Sequence, residues 1–170
     1  MFRSVATVLI AALAAALAGC TGEVAAPEQP TFYQSMASPV AQLDATTAAS
    51  MISGFRQNNG LGPLTIDPAL MQMAQAQAQA MAARDKISND SKNEFAKRMK
   101  AAGFDAKVSV ENVSAGYHTL AEAFSGWRDS PPHRANMLKA GVSHMGIAAV
   151  YQANSKYKVF WTLILAAPEG

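Results

Sequence analysis

The chain has 170 residues and carries 14 basic and 12 acidic side chains, for a formal net charge of +2. This length is sufficient for one domain with a sizeable core. No basic run with interleaved aromatic residues is present, which argues against a nucleic acid partner. The single cysteine excludes a disulfide framework within the chain.

Residues 1–20 have the pattern of a secretory signal. Arg3 supplies a positive start, residues 5–18 are apolar, and small residues follow. The run ends in Leu17-Ala18-Gly19-Cys20, which resembles the bacterial lipobox, in which the leader is removed and the cysteine is acylated. We therefore predict a lipoprotein signal peptide over residues 1–19 and lipidation of Cys20. The alternative is an ordinary cleaved signal in which Cys20 is incidental.

We expect lipid to hold the mature chain at the cell envelope. The apolar run is shorter than the roughly 20 residues of a transmembrane helix, whereas two or three acyl chains on Cys20 anchor a protein stably. Thr21 after the acylated cysteine predicts the outer membrane, facing the periplasm, in a Gram-negative cell. Residues 20–43 contain three prolines, and their composition predicts a flexible spacer before a folded domain over residues 44–170.

Three helices are predicted in the first part of this domain. Apolar residues recur at helical spacing from Asp44, and the segment ends at Asn58-Asn59-Gly60. Asp67 followed by proline predicts the N-terminus of a second helix. A third helix is predicted over residues 93–102, where a glycine follows.

The second part of the domain contains both helical and strand patterns. Residues 108–110 alternate as in a short strand that precedes Glu111-Asn112. Thr119 forms the start of a capping box that opens a helix, and Ser130-Pro131 opens a shorter helix.

The C-terminal part is different in kind. Residues 144–151 and 157–165 are apolar and rich in β-branched and aromatic side chains, and a turn-like segment joins them. They are predicted to pair as an antiparallel hairpin at the core of a sheet. Helices come first and strands last, which predicts an α+β fold.

Several short motifs occur together in a fixed order. Taken with their spacing, they resemble the CAP superfamily, also called SCP domains, and more narrowly its short, cysteine-free bacterial branch. The resemblance covers about residues 45–166. It rests on the segments Phe55-Arg56, Gly60-Leu61, Pro63-Leu64, Leu70 to Ala74, Glu111-Asn112, Trp127 with residues 130–138, and His144-Met145-Gly146-Ile147.

The resemblance implies a three-layer α-β-α sandwich with a central antiparallel sheet. It also implies a cleft in which two histidines and two acidic side chains meet, in some members around a divalent metal. Glu111 matches one acid and His133 matches one histidine, while Asn89 stands where the other histidine is expected. With Asn112 and His144, these residues form the expected ligand cleft.

We expect no metal and no cofactor in this cleft. Zinc is generally held by three or four N, S or O ligands, and an amide oxygen such as that of Asn89 is a poor one. Glu111 and His133 alone form a pair. The remaining acidic position has no clear match, and Asp129 and Glu122 are candidates only by proximity.

Structural roles for the same residues remain open. Glu111 can accept backbone hydrogen bonds and pin a loop. His133 can bond Glu111 and lock two segments together, or the two can perform general acid–base chemistry. Trp127 is interpreted as a core residue, Ser114 as a loop residue, and His144 as a structural contact.

Three functions are compatible with these motifs. The first is a monomeric, non-enzymatic binding module for a small apolar, lipid or cell-wall ligand. The methionine-rich helices would provide an adaptable apolar surface for such a ligand, unless those methionines only pack in the core. The second is a hydrolase or peptidase that uses Glu111 and His133, although no nucleophile is evident. The third is a structural or protein-interaction domain with a vestigial cleft. We favour the first, and so expect no enzymatic activity.

Overall fold

The computed structural model describes residues 29–88 and 92–169. The signal peptide, Cys20 and Asn89 lie outside these residues. A 3-10 turn over Thr31–Tyr33 precedes five helices and four strands in the described part. They are α1 (Ala45–Gln57), β1 (Thr65–Ile66), α2 (Pro68–Arg84), α3 (Lys92–Ala101), β2 (Ala106–Ala115), α4 (Leu120–Asp129), α5 (Pro131–Met137), β3 (His144–Tyr151) and β4 (Val159–Pro168).

The strands form one sheet in the order β1-β3-β4-β2. The hairpin of β3 and β4 is antiparallel, as predicted, and β2 pairs antiparallel with the other side of β4. The short β1 was not predicted, and it adds a parallel pairing at the β3 edge, so the sheet is mixed. Because β1 has only two residues, it is too short to show an alternation in sequence.

Helices cover both faces of the sheet, which confirms the predicted sandwich. One core joins side chains of α2 and α3 to Ile164 and Ala166 of β4. The other core joins side chains of α1, α4 and α5 to Leu163 and Leu165 of the same strand. Successive residues of a strand point to opposite faces, so β4 is buried on both sides and reads as a continuous apolar run.

The predicted starts of α1, α2 and α4 are confirmed by their caps, whereas the side chain of Ser130 at the start of α5 makes no cap hydrogen bond. The carboxylate of Asp44 accepts a hydrogen bond of 2.9 Å from the backbone N–H of Thr47 at the start of α1. Asp67 does the same for Leu70 in α2, also at 2.9 Å. At α4 the capping box is complete, with Thr119 as the cap. Each cap satisfies N–H groups that have no partner within the helix.

Two predicted boundaries are corrected. The strand β2 continues through Glu111 to Ala115, because β4 offers a partner residue along its whole length. The chain from Thr31 onward, expected to belong to a flexible spacer, packs on the domain. There Met36 is buried and its N–H donates to the carbonyl of His118 at 2.6 Å. This tertiary contact outweighs the proline-rich composition of the segment.

Arg56 of α1 is a buried cation, only 1% exposed. Its guanidinium donates to four backbone carbonyls, those of Gly62, Met137, Lys139 and Val142, at 2.8–3.2 Å. Burial lowers its pKa, yet an arginine stays charged in proteins. Arg56 thus holds the loop before β1 and the connection from α5 to β3 against α1.

No helix in residues 29–88 and 92–169 is both long enough and apolar enough to cross a membrane.

Helix α2 lies unusually close to the sheet at Gly146 of β3. A Cβ atom built on Gly146 would overlap the backbone carbonyl of Leu70. We predict that Gly146→Ala lowers the free energy of unfolding by about 1–3 kcal/mol or more, because backbone cannot yield as a side chain can. Urea denaturation measures this. Gly54→Ala in α1, where nothing lies within 4 Å, should instead stabilise the protein by about 0.5–1 kcal/mol, and equal effects of the two variants would contradict the close approach.

Candidate functional site

The Glu-Asn motif lies within β2, and the strand sends its two side chains to opposite faces of the sheet. Glu111 is in register with Ile164, which faces α2 and α3. Asn112 is in register with Leu163, which faces the other helical layer. The two motif residues are adjacent in sequence, but alternation along a strand prevents them from lining one cleft.

The carboxylate of Glu111 is bound by Arg98 of α3. One guanidinium nitrogen of Arg98 lies 2.9 Å from one carboxylate oxygen and 3.0 Å from the other. The Glu111 side chain is only 9% exposed and that of Arg98 is 29% exposed. Arg98 was not among the site residues predicted from the sequence. Its position three residues after Phe95, on the inward side of the predicted helix, was the available signal.

Asn112 has a structural role, because it joins β2 to α5. Its amide donates to the main-chain carbonyl of His133 at 3.0 Å. In return, Asn136 of α5 donates to the side-chain oxygen of Asn112 at 2.9 Å and to the main-chain carbonyl of Glu111 at 3.0 Å. Asn136 lies in the segment 130–138 that resembles the family, but no role was predicted for it. Two amides thereby fix the distance between α5 and the edge of the sheet.

His133 lies in the first turn of α5 and is partly buried. Burial lowers the pKa of its imidazole, so the ring is neutral near neutral pH. Within residues 29–88 and 92–169, no hydrogen bond or ion pair joins this ring to the Glu111 carboxylate, which Arg98 holds from α3. The Glu–His pair considered from the sequence is therefore not formed. His133 contacts the Glu-Asn motif through its main-chain carbonyl, which accepts from Asn112.

His144 is remote from the other candidates. It opens β3, opposite Ala166 of β4, and Ala166 in turn lies opposite Ser109 of β2. Its Nδ1 is 2.8 Å from the hydroxyl of Ser143, and its ring packs edge-on against Phe104 with centroids 6.4 Å apart. The expected structural role fits these contacts. Of the predicted cleft residues within the described chain, the structure brings together Glu111, Asn112 and the backbone of His133, but not His144.

Trp127 is a core residue, as interpreted, and only 1% exposed. Its indole N–H donates to the hydroxyl of Ser114 at 3.2 Å. Ser114 lies in β2 rather than in a loop, because the strand is longer than predicted, and it is buried. This hydrogen bond satisfies two buried polar groups, so Ser114 has a structural role.

No group of three or more His, Cys, Asp or Glu side chains that could hold a metal occurs among the described residues.

Among the residues that the structure describes, two grooves lie beside α3. The first, which we call the β2 groove, has a volume of about 670 Å³. It is lined by Phe95, Ala96, Lys107, Val108, Ser109, Val110, Glu111, Ala135, Asn136 and Lys139. The second, which we call the α2–α3 groove, has a volume of about 470 Å³. Its lining is Met73, Ala76, Gln77, Ala80, Arg84, Arg98, Ala101 and Ala102. The Arg98–Glu111 ion pair joins the linings of the two grooves.

The ion pair predicts a specific pattern of stabilities. Arg98→Met should lower the free energy of unfolding by about 1–3 kcal/mol, because it removes a charged partner from a largely buried carboxylate. The double variant with Glu111→Leu should recover part of this loss. Denaturant unfolding measures both. Arg128→Met, which removes an exposed pair with Asp129, is the control and should change stability by less than about 1 kcal/mol. A loss no larger than that of the control would contradict a structural ion pair.

Comparison with known proteins identifies relatives of this chain. The uncharacterized protein YkwD of Bacillus subtilis is 30% identical over 143 residues, which are 76% of this chain and 56% of that protein. The chain thus spans just over half the length of this relative.

Solved structures share the fold at lower identity. An outer surface protein of Borrelia burgdorferi superimposes with a TM-score of 0.66 at 16% identity, over 74% of this chain and 93% of its own. An extracellular SCP-domain protein of Bacillus anthracis gives 0.61 at 20% identity, over 71% and 39%. The profile of the Cysteine-rich secretory protein family, CAP, matches residues 49–165. The chain therefore belongs to the CAP family, as its motifs predicted.

Proposed function

We propose that this protein is a non-enzymatic binding module of the cell envelope, anchored by lipid on Cys20, and that its ligand is an amphiphile such as a lipid or a cell-wall component. The observation that carries the proposal is the ion pair of Glu111 with Arg98. Both oxygens of the one acidic side chain that matches the family cleft accept from a guanidinium. A hydrolase would need this carboxylate and His133 to act on one substrate, and the ion pair directs the carboxylate toward α3 instead.

The α2–α3 groove supports the choice of ligand. Half of its lining residues are alanines, and Met73 adds a further apolar side chain. Its volume lies within the roughly 300–1,000 Å³ of small-molecule sites, which are mostly apolar with a few placed polar groups. Arg84 supplies positive charge in its lining, whereas the other lining arginine, Arg98, is paired with Glu111. An apolar body with an anionic group would match this distribution.

The methionines considered from the sequence contribute mostly to the core. Met81 and Met99 are 1% and 2% exposed, which confirms ordinary core packing for them. Met73 is 6% exposed and is the methionine that also lines the groove. A flexible thioether there can adapt to ligands of different shape.

The groove can be blocked without altering its charge. Ala76 lies in α2 and lines the groove, so Ala76→Phe should reduce retained ligand to a small fraction of the wild-type amount by filling the space. Native mass spectrometry of protein purified from its own envelope measures the retained mass. Ala83→Phe is the matched control, because Ala83 is exposed on the same helix and outside the lining. Equal retention by both variants, or no retained mass in the wild-type protein, would contradict the groove as the binding site.

Anchoring through Cys20 has a direct test. The residues between Cys20 and Thr31 span at most about 3.3–3.6 Å each, so an acylated Cys20 would keep the domain close to the bilayer. Cys20→Ser should move the protein from the membrane pellet to the soluble envelope fraction, and wild-type protein should carry the acyl mass on its N-terminal peptide. A Cys20→Ser protein that stays in the pellet would contradict the lipid anchor.

A further inference from the structure

The strand β2 has an open edge. Within the part of the chain that the structure describes, β2 pairs with β4 alone. Asn136 donates to the main-chain carbonyl of Glu111 from the other side, so the backbone groups of Glu111 point away from β4. In an antiparallel pair this orientation repeats every second residue. Ser109 therefore presents both its N–H and its C=O along the same open edge.

The β2 groove follows this edge. Its floor consists of five consecutive strand residues, from Lys107 to Glu111. Phe95 of α3 stands on one side and Ala135 of α5 on the other. A strand rises roughly 3.3 Å per residue, so the floor matches a short segment of extended chain.

The positive charge of the β2 groove indicates which kind of extended peptide it would bind. Lys107 and Lys139 line it, and its one acidic residue, Glu111, is already bound by Arg98. A second copy of β2 is a poor occupant, because its own lysine would lie against this positive groove, and a lysine on an edge strand discourages self-pairing. A segment that carries carboxylates has the complementary charge.

We propose that the open edge of β2 binds an extended, acidic peptide segment as an added strand. Ser109 exchanges backbone hydrogen bonds with the segment through its N–H and its C=O, whereas the carbonyl of Glu111 is already taken by Asn136. Carboxylates of the segment lie near Lys107 and Lys139. This site has a different lining from the α2–α3 groove and does not depend on the function proposed for that groove.

The test uses a fluorescent, end-blocked peptide that alternates glutamate and valine, and fluorescence anisotropy with the full chain. The unmodified peptide should bind. The same peptide with N-methyl groups on alternate backbone nitrogens should bind about tenfold more weakly or worse, because backbone hydrogen bonds are lost while charge is kept. The double variant Lys107→Glu, Lys139→Glu should also weaken binding of the unmodified peptide by about tenfold or more.

The control is Lys100→Glu, Lys156→Glu, which changes net charge equally at exposed positions outside the groove and should bind as the wild type does. Circular dichroism confirms that all variants fold. Equal binding of the N-methylated peptide would show a purely electrostatic contact and would overturn strand addition. Equal loss in the control, no binding by the wild type, or self-association in place of peptide binding would overturn the site.

Discussion

The buried guanidinium of Arg56 is the interaction on which the arrangement of the site depends. Burying a charge costs several kcal/mol, and hydrogen bonds to charged groups return about 1.5–3 kcal/mol each. Arg56 donates four such hydrogen bonds, one to a carbonyl of the loop before β1 and three to carbonyls at the end of α5 and in its connection to β3. Because two of these carbonyls belong to Met137 and Lys139, at the end of α5 and just beyond it, Arg56 fixes the helix that carries His133 and Asn136. The amide contacts with β2 follow from that placement.

The two residues of the Glu-Asn motif contribute to the fold because each contacts a side chain of a different helix. In this chain, Glu111 projects toward α3 and meets Arg98, while Asn112 projects toward α5 and meets Asn136. The motif therefore holds two helical layers to the edge of the sheet. Because the Glu111 carboxylate is only 9% exposed, it depends on Arg98 to offset the cost of its burial. Binding would then fall to the grooves beside α3, whose shape the motif residues maintain.

Sequence patterns predicted the helix starts and the hairpin, because caps and apolar periodicity are local signals. The layer order was predicted from the resemblance to the family. Contacts between distant segments had no such signal. The length of β2 depends on a partner strand about fifty residues later, and the packing of Met36 depends on the carbonyl of His118. Resemblance to the family located Glu111 and His133 but could not give their side-chain directions. The Arg98 contact depends on how α3 crosses β2, which spacing alone does not define.

Strand alternation also explains why the open edge is the part of β2 left for a partner. One face of the strand is committed to the core beneath α2 and α3, and the other to the core beneath α4 and α5. The inner edge is occupied by β4. On the outer edge, Asn136 covers the carbonyl of Glu111 but reaches no further along the strand. The backbone of Ser109 is therefore held in place by the sheet and is accessible to a partner strand at the outer edge. Because it is already rigid, it loses little entropy when such a strand pairs with it.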